Sequence, residues 1–173
     1  MDSIIMNKVL LSNYEGHLGI VDWMNKSVLD IGADTGTSAE FFLEKGAKVV
    51  VAVEGYDSEY KQLEKNEKLF PPGKLILNEL FLIRCPDDLT YLITKWDWVD
   101  IVKIDIEGAE IHLVYVPDDI FSIPREYVID FHSRTNERLL RNKLLLNGYS
   151  FYNENKCNVI YARNNNSKVI ERI

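Results

Sequence analysis

Apolar positions along this chain follow two alternating patterns. Short β-branched runs cover Ser27 to Ile31, Lys48 to Val53, Leu75 to Leu77, Asp100 to Ile106 and Tyr127 to Phe131. Between them lie stretches whose apolar residues recur at helical spacing, and this alternation predicts a mainly parallel sheet with crossover helices. The run Val49 to Val53 holds no polar residue, as a strand covered on both faces requires. After the turn Gly32 to Gly36, Thr37 or Ser38 is placed to cap a helix carrying Phe41, Phe42 and Leu43, with Gly46 as its stop. Asp57 caps a second helix through Lys68, closed by Pro71-Pro72-Gly73. Asp87 or Asp88 opens a helical turn to Thr94, and a short helix after Gly108 must stop before Pro117. Leu139, Leu140, Leu144 and Leu145 give Asn136 to Leu146 a helical stripe that Gly148 ends. The last two runs, Tyr149 to Tyr152 and Asn158 to Ala162, are close enough to pair antiparallel around a turn at Asn153 to Lys156. The polar tail from Asn164 is expected to fray. No repeat or linker interrupts the pattern. Residues 1–173 therefore read as a single α/β domain, a doubly wound, mostly parallel seven-stranded sheet with an antiparallel C-terminal hairpin.

Composition narrows the partners. The 173 residues are 46% hydrophobic and 27% charged, an ordinary globular balance. A chain of this length buries roughly 70% of its unfolded surface, enough for a core without staples. The net charge of −7 and the absence of a long basic run argue against a nucleic-acid or anionic-membrane partner. Cys85 and Cys157 form no metal or redox pattern, so a reducing, cytoplasmic setting is expected. The first residues lack the pattern of a signal peptide, and no apolar run approaches the ~20 residues of a membrane span.

In open α/β sheets ligands sit beyond the carboxyl ends of the strands, where strand order reverses. That rule points to Asp30-Ile31-Gly32-Ala33-Asp34-Thr35-Gly36. Gly32 and Gly36 let the backbone pass close to a ligand, and Asp30 and Asp34 add acceptors there. Glu54, at the end of the second strand, is placed to accept both hydroxyls of a ribose. The spacing is G-x-x-x-G rather than the G-x-G-x-x-G of a pyrophosphate cradle. Acceptors without that cradle suit a cationic nucleoside better than a dinucleotide, and argue against a nicotinamide-dependent oxidoreductase. A plain tight turn, its glycines serving packing alone, is the simpler alternative.

The stretch Val28 to Gly36 resembles the first motif of class I S-adenosylmethionine-dependent methyltransferases, and the strand series matches their seven-stranded sheet over nearly the whole chain. The resemblance implies a cofactor site lined by Asp30, Gly32, Ala33, Asp34, Gly36, Glu54 and Gly55, with Asn78 or Glu79 at the adenine. Lys103-Ile104-Asp105-Ile106-Glu107-Gly108-Ala109-Glu110 is similar to the hallmark of the FkbM-type subgroup, which includes O-methyltransferases of sugars and polyketides. In that subgroup His132, after the fifth strand, matches a common Glu-x-His position.

Pleating puts Val102, Ile104 and Ile106 on one face of the fourth strand and Ile101, Lys103, Asp105 and Glu107 on the other. Charges within a buried strand are expensive unless paired or functional. A Lys103–Asp105 or Lys103–Glu107 ion pair is the structural reading; chemistry at the ligand-facing strand end is the functional one. A histidine near pKa 6.5 is a competent base for a hydroxyl, and Asp105 or Glu107 would orient it or bind the hydroxyl directly. A divalent metal held by Asp105, Glu107 and His132 is the second way to polarise that hydroxyl. A surface histidine without a role is the third reading. His17 and His112 are expected at the surface or in packing, and Trp23, Trp96 and Trp98 in the core or a pocket wall. The Asn/Asp-Pro-Pro-Tyr/Phe run of amine methyltransferases is absent, and no cysteine is placed for base C5-methylation. Oxygen is therefore the expected acceptor, on a sugar, polyketide-like or other small metabolite. The segment from Asn78 to Val99 is shorter than in the FkbM-type pattern, which leaves a pocket that is open or completed by a second copy of the chain. A non-catalytic S-adenosylmethionine-binding or interaction module with this fold is the competing reading.

Overall fold

The structure is a computed structural model and describes residues 15–16, 18–152 and 158–165. His17, Cys157 and the hairpin turn at 153–156 lie outside the described residues. Seven strands form one sheet: β1 Ser27–Ile31, β2 Val49–Val53, β3 Leu75–Leu77, β4 Ile101–Ile104, β5 Glu126–Asp130, β6 Tyr149–Phe151 and β7 Val159–Asn164. Their order is β3-β2-β1-β4-β5-β7-β6, with β7 antiparallel to both β5 and β6 and the remaining pairs parallel. Strand order reverses between β1 and β4, which places the switch point beside the glycine turn.

Alternation along the strands divides the core into two layers. Leu29, Ile31, Val102, Ile104, Tyr127 and Ile129 face one side, where Leu89, Leu92 and Ile93 of α3 (Pro86–Lys95) and Leu140 and Leu144 of α5 (Arg134–Leu146) cover them. Val28, Val50 and Ile101 face the other, under Phe41 and Phe42 of α1 (Thr37–Glu44) and Leu63 of α2 (Asp57–Glu67). Phe42 also stacks on Trp23 at 4.2 Å between ring centroids. Each fully buried aromatic of this kind contributes about 1.5–3 kcal/mol relative to its exposure.

Several expected boundaries move for identifiable reasons. The N-cap of α1 is Gly36, with φ 100°, rather than Thr37 or Ser38, because Ser38 turns inward to Asp30. Helix α3 begins at Pro86, one residue before the expected start, because Asp88 Oδ2 accepts the amides of Arg84 and Cys85 at 2.7 and 3.1 Å. The segment after Gly108 is a 3-10 helix, Ala109–Tyr115, followed by a one-turn helix α4, Asp118–Phe121, that the periodicity did not mark. β4 ends at Ile104, so Asp105 and Glu107 belong to a loop and not to the pleat.

Candidate active site

A cavity of about 510 Å³ opens beyond the carboxyl ends of β1, β2 and β4. Its floor is the turn that follows β1. Gly32 has φ +82°, and a Cβ there would stand 1.8 Å from the carbonyl oxygen of Asp105, so the β1 and β4 loops pass in backbone contact. The Gly32 and Ala33 amides both donate to the Val53 carbonyl, at 2.9 and 3.1 Å, which ties the turn to the end of β2. Asp34 follows with φ 49° and sends its amide to Glu54 Oε2 at 2.8 Å.

Glu54 lines the cavity although it is 95% buried, and its other oxygen accepts the amides of Gly55 and Tyr56 at 2.6 and 2.8 Å. Three of its roughly four lone-pair positions are thus used internally, which leaves room for one ligand hydroxyl rather than the expected two. Burial raises the Asp34 carboxyl above its ordinary range, and the charges of Glu54 and Glu59 push it the same way.

Asp30 does not reach the cavity. It is fully buried behind the turn, pairs with Lys103 Nζ at 2.9 Å and accepts from the Ser38 hydroxyl. Lys103 Nζ also donates to the Gly32 carbonyl at 2.8 Å. Asp30 and Lys103 are direct register partners across β1 and β4, so the lysine pairs sideways and not along its own strand with Asp105 or Glu107. Burial lifts the Asp30 carboxyl above its ordinary value, against the opposing pull of Lys103 and Ser38. Gly36 and Ala33 likewise serve packing. A Cβ on Gly36 would meet Leu63 and Phe70, and Ala33 is buried among the second-layer residues.

Asn78 is also withdrawn from the cavity. Its oxygen accepts from Lys95 Nζ at 2.8 Å and Trp96 Nε1 at 3.3 Å, and its amide donates to the Glu79 carbonyl. The wall at that end is Phe81, Leu82 and Ile83, with Phe81 stacked on Tyr91 at 5.5 Å. An apolar, aromatic-backed wall of this kind suits the face of a base. The three described tryptophans form no part of the lining: Trp23 is in the core, Trp96 holds Asn78, and Trp98 packs edge-on against Trp96.

The loop after β4 also brings Asp105 and Glu107 to the cavity, and the residues just after β5 set His132 beside them. His132 Nε2 lies 3.8 Å from Asp105 Oδ1 and 3.4 Å from Glu107 Oε2, while Nδ1 is 2.9 Å from Glu110 Oε1. Glu110 is fully buried, and the same oxygen accepts the amides of Ile106 and Gly108 at 3.2 and 2.9 Å. It therefore fixes both the loop that carries Asp105 and Glu107 and the orientation of the imidazole. Because Glu110 only accepts when ionised, Nδ1 carries the proton and Nε2 faces the two carboxylates. Burial lowers the His132 pKa, but the Glu110 hydrogen bond and the Glu110, Glu107 and Asp105 charges outweigh it, so the net shift is upward. Asp130, at the end of β5, is raised to about 6 by burial and by Asp105. Sequence reasoning did not single out Glu110. Its signal is an acid two residues past a glycine that opens a helix, able to reach back to that helix's first amides. His112 sits half-buried in the 3-10 helix, away from this cluster.

No protein-family model matches the chain. It is 28% identical over 130 residues to "Uncharacterized protein 65" of the Sulfolobus islandicus filamentous virus (isolate Iceland/Hveragerdi), covering 73% of this chain and 72% of that protein. Among solved structures it is similar to a candidate tRNA (m1A22) methyltransferase from Streptococcus pneumoniae in complex with S-adenosyl-L-methionine. The TM-score is 0.65 at 17% identity, over 95% of this chain and 76% of that one. Aeropyrum pernix fibrillarin, with natively bound S-adenosyl-L-methionine, superposes with a TM-score of 0.57 at 15% identity over 90% of this chain and 74% of that one. A candidate S-adenosylmethionine-dependent methyltransferase from Listeria monocytogenes gives 0.55 at 14% identity, over 90% and 97% of the two chains. The strand order, the antiparallel β7 and these likenesses agree: the chain has the Rossmann-like fold of the class I S-adenosylmethionine-dependent methyltransferases.

Proposed function

We propose that the protein is an S-adenosylmethionine-dependent methyltransferase that acts on a hydroxyl of a small, uncharged or cationic molecule. The observation that carries this reading is the charge of the cavity. Asp34, Glu54, Glu59, Asp105 and Glu107 line it, and among the described residues no lysine or arginine does. Such a field attracts a sulfonium and repels phosphates, which disfavours both a dinucleotide cofactor and an RNA backbone as partners. The volume lies within the range of cofactor-sized pockets. The residues present therefore fit the cofactor that the fold suggests: Glu54 for a ribose hydroxyl, Phe81 to Ile83 for the base, and the backbone of Gly32 and the Asp34 carboxylate for the amino-acid end. Bound there, S-adenosylmethionine supplies an electrophilic methyl group on a sulfonium sulfur. Asp105 and Glu107 then line the same cavity, and His132 Nε2 stands behind them at 3.8 and 3.4 Å. Transfer to a hydroxyl releases one proton, and His132 Nε2 is the nitrogen placed to hold it. Alignment of the two reactants supplies most of the remaining advantage. Likeness to the FkbM-type pattern rests on Lys103 to Glu110 and favours oxygen as the acceptor.

RNA is the competing acceptor, because solved structures of this fold include a tRNA methyltransferase candidate. Calorimetric titration with S-adenosylmethionine and S-adenosylhomocysteine tests the cofactor assignment, with Glu54→Ala as the control. Micromolar binding lost in the variant is expected, and no binding of either ligand overturns the reading. A methyl-transfer screen with polyols and phenols against bulk tRNA separates the two acceptors.

A further inference from the structure

We infer that the cavity retains S-adenosylmethionine by the charge on its sulfur and lets the neutral product S-adenosylhomocysteine go, with Asp105 as the carboxylate that separates the two. This rests on the cofactor reading above and concerns which form of that cofactor the site keeps. Transfer moves the methyl group from sulfur to the acceptor oxygen. The electron pair of the broken sulfur–carbon bond stays on sulfur, and the hydroxyl proton leaves. The sulfonium thus becomes a neutral thioether, while the rest of the cofactor keeps its charge. A site that holds the sulfonium by attraction loses that hold when the reaction is complete.

The carboxylates of the lining come from separate elements: Asp34 follows β1, Glu54 follows β2, Glu59 stands on α2, and Asp105 and Glu107 follow β4. No lysine or arginine among the described residues forms an ion pair with any of them. Lys103, at the end of β4, spends its Nζ on Asp30 and the Gly32 carbonyl instead. His132 lies outside the lining, and when protonated it offsets one charge, beside Asp105 and Glu107. On the Asp34 side the acids repel one another: burial raises the Asp34 carboxyl, and the charges of Glu54 and Glu59 raise it further. A cation in the cavity relieves that repulsion, and a neutral ligand of the same shape does not.

Sulfur is the atom that joins the ribose to the amino-acid end of the cofactor. With the ribose at Glu54 and the amino-acid end at Gly32 and Asp34, the sulfur belongs beside the turn that follows β1. Asp105 is the carboxylate of the β4 loop that meets this turn. Its carbonyl oxygen is the atom a Cβ on Gly32 would strike, and its side chain, 36% exposed, lines the cavity. An opposite charge within about 4–6 Å shifts an equilibrium by about tenfold or more in a partly desolvated site. The thioether gains nothing from it.

The test is calorimetric titration of the purified full chain with S-adenosylmethionine, S-adenosylhomocysteine and sinefungin, in low salt and again in about 1 M sodium chloride, where the screening length is about 3 Å. Sinefungin carries a protonated amine in place of the sulfonium, so it separates the effect of charge from that of the methyl group. Both charged ligands should bind about tenfold or more tighter than S-adenosylhomocysteine in low salt, and the preference should shrink several-fold in high salt. Asp105→Asn should weaken S-adenosylmethionine about fivefold or more and leave S-adenosylhomocysteine within about twofold, a split that a merely structural role would not produce. Glu59→Gln, from a different element, should lower the preference by about twofold or more. Affinities for charged and neutral ligands within about threefold of each other in low salt, or a parallel loss of both ligands in the two variants, overturn the inference and leave the cofactor reading standing. If no ligand binds, the cofactor reading itself fails, and the inference falls with it.

Discussion

Replacing Lys103 by methionine isolates the interaction that couples the sheet to the glycine turn. Methionine keeps most of the buried length but removes the charge that faces Asp30, whose side chain has no exposed surface and lies 2.9 Å from Nζ. Breaking a buried pair from one side costs about 3–5 kcal/mol, because the remaining charge has neither water nor counter-charge and keeps only the Ser38 hydroxyl. The carboxyl can limit this by taking up a proton, and at pH 7.5 protonating a group of ordinary pKa costs about 5 kcal/mol, so the two limits agree. Urea unfolding at pH 7.5 should therefore show a loss of about 3–5 kcal/mol, and melting should fall by roughly 6–20 °C. At pH 5 the loss should shrink by about 3 kcal/mol, since the unfolded chain then pays less to protonate Asp30. Asp30→Asn combined with Lys103→Met removes both charges and should recover most of the stability. S-adenosylmethionine binding should remain weakened in the double variant, because the Lys103 bond to the Gly32 carbonyl is still missing. A loss below about 1 kcal/mol for Lys103→Met, or a double variant no more stable than the single one, would refute the reasoning.

Two further outcomes follow from the site. Gly32→Ala should lower stability by about 2 kcal/mol or more and abolish cofactor binding, since its Cβ meets a backbone oxygen. Gly73→Ala, at a similar positive φ but in open space, should cost only about 1–2 kcal/mol, so equal losses measured by urea unfolding would contradict the close approach. Asp130 has a folded pKa of about 6, above the unfolded value near 4, so the folded state binds the extra proton between those values. Stability should fall as pH rises from about 4 to 6, and Asp130→Asn should gain about 1–2 kcal/mol over the native chain above pH 6.5, after allowance for partial solvent exposure. The gain should vanish at pH 4, and parallel stability curves in chelator-containing buffer from pH 4 to 8 would dismiss this account.

The chain's own pattern was enough for the sheet. Strand runs, crossover helices and the final antiparallel pair depend on local periodicity and on connection length, both of which are written in consecutive residues. The pattern also marked Asp105, Glu107 and His132, because charges at the end of a buried strand are conspicuous in one dimension. Strand register was not legible, and it decided the rest. Asp30 and Lys103 are 73 residues apart in sequence yet opposite one another in the β1–β4 ladder, so an acid that reads as a ligand is instead the counter-charge of a buried lysine. Asn78 was likewise claimed by Lys95 and Trp96 from the following helix, which left the apolar Phe81 to Ile83 facing the cavity. Glu110 needed the fold most of all. Only when the 3-10 helix packs under the loop does its carboxylate meet the amides of Ile106 and Gly108 and the ring of His132 at once. Hydrophobic spacing fixes which residues are inside, but the pairing of buried polar groups is a property of three-dimensional neighbours, and at this site those neighbours come from separate strands and loops.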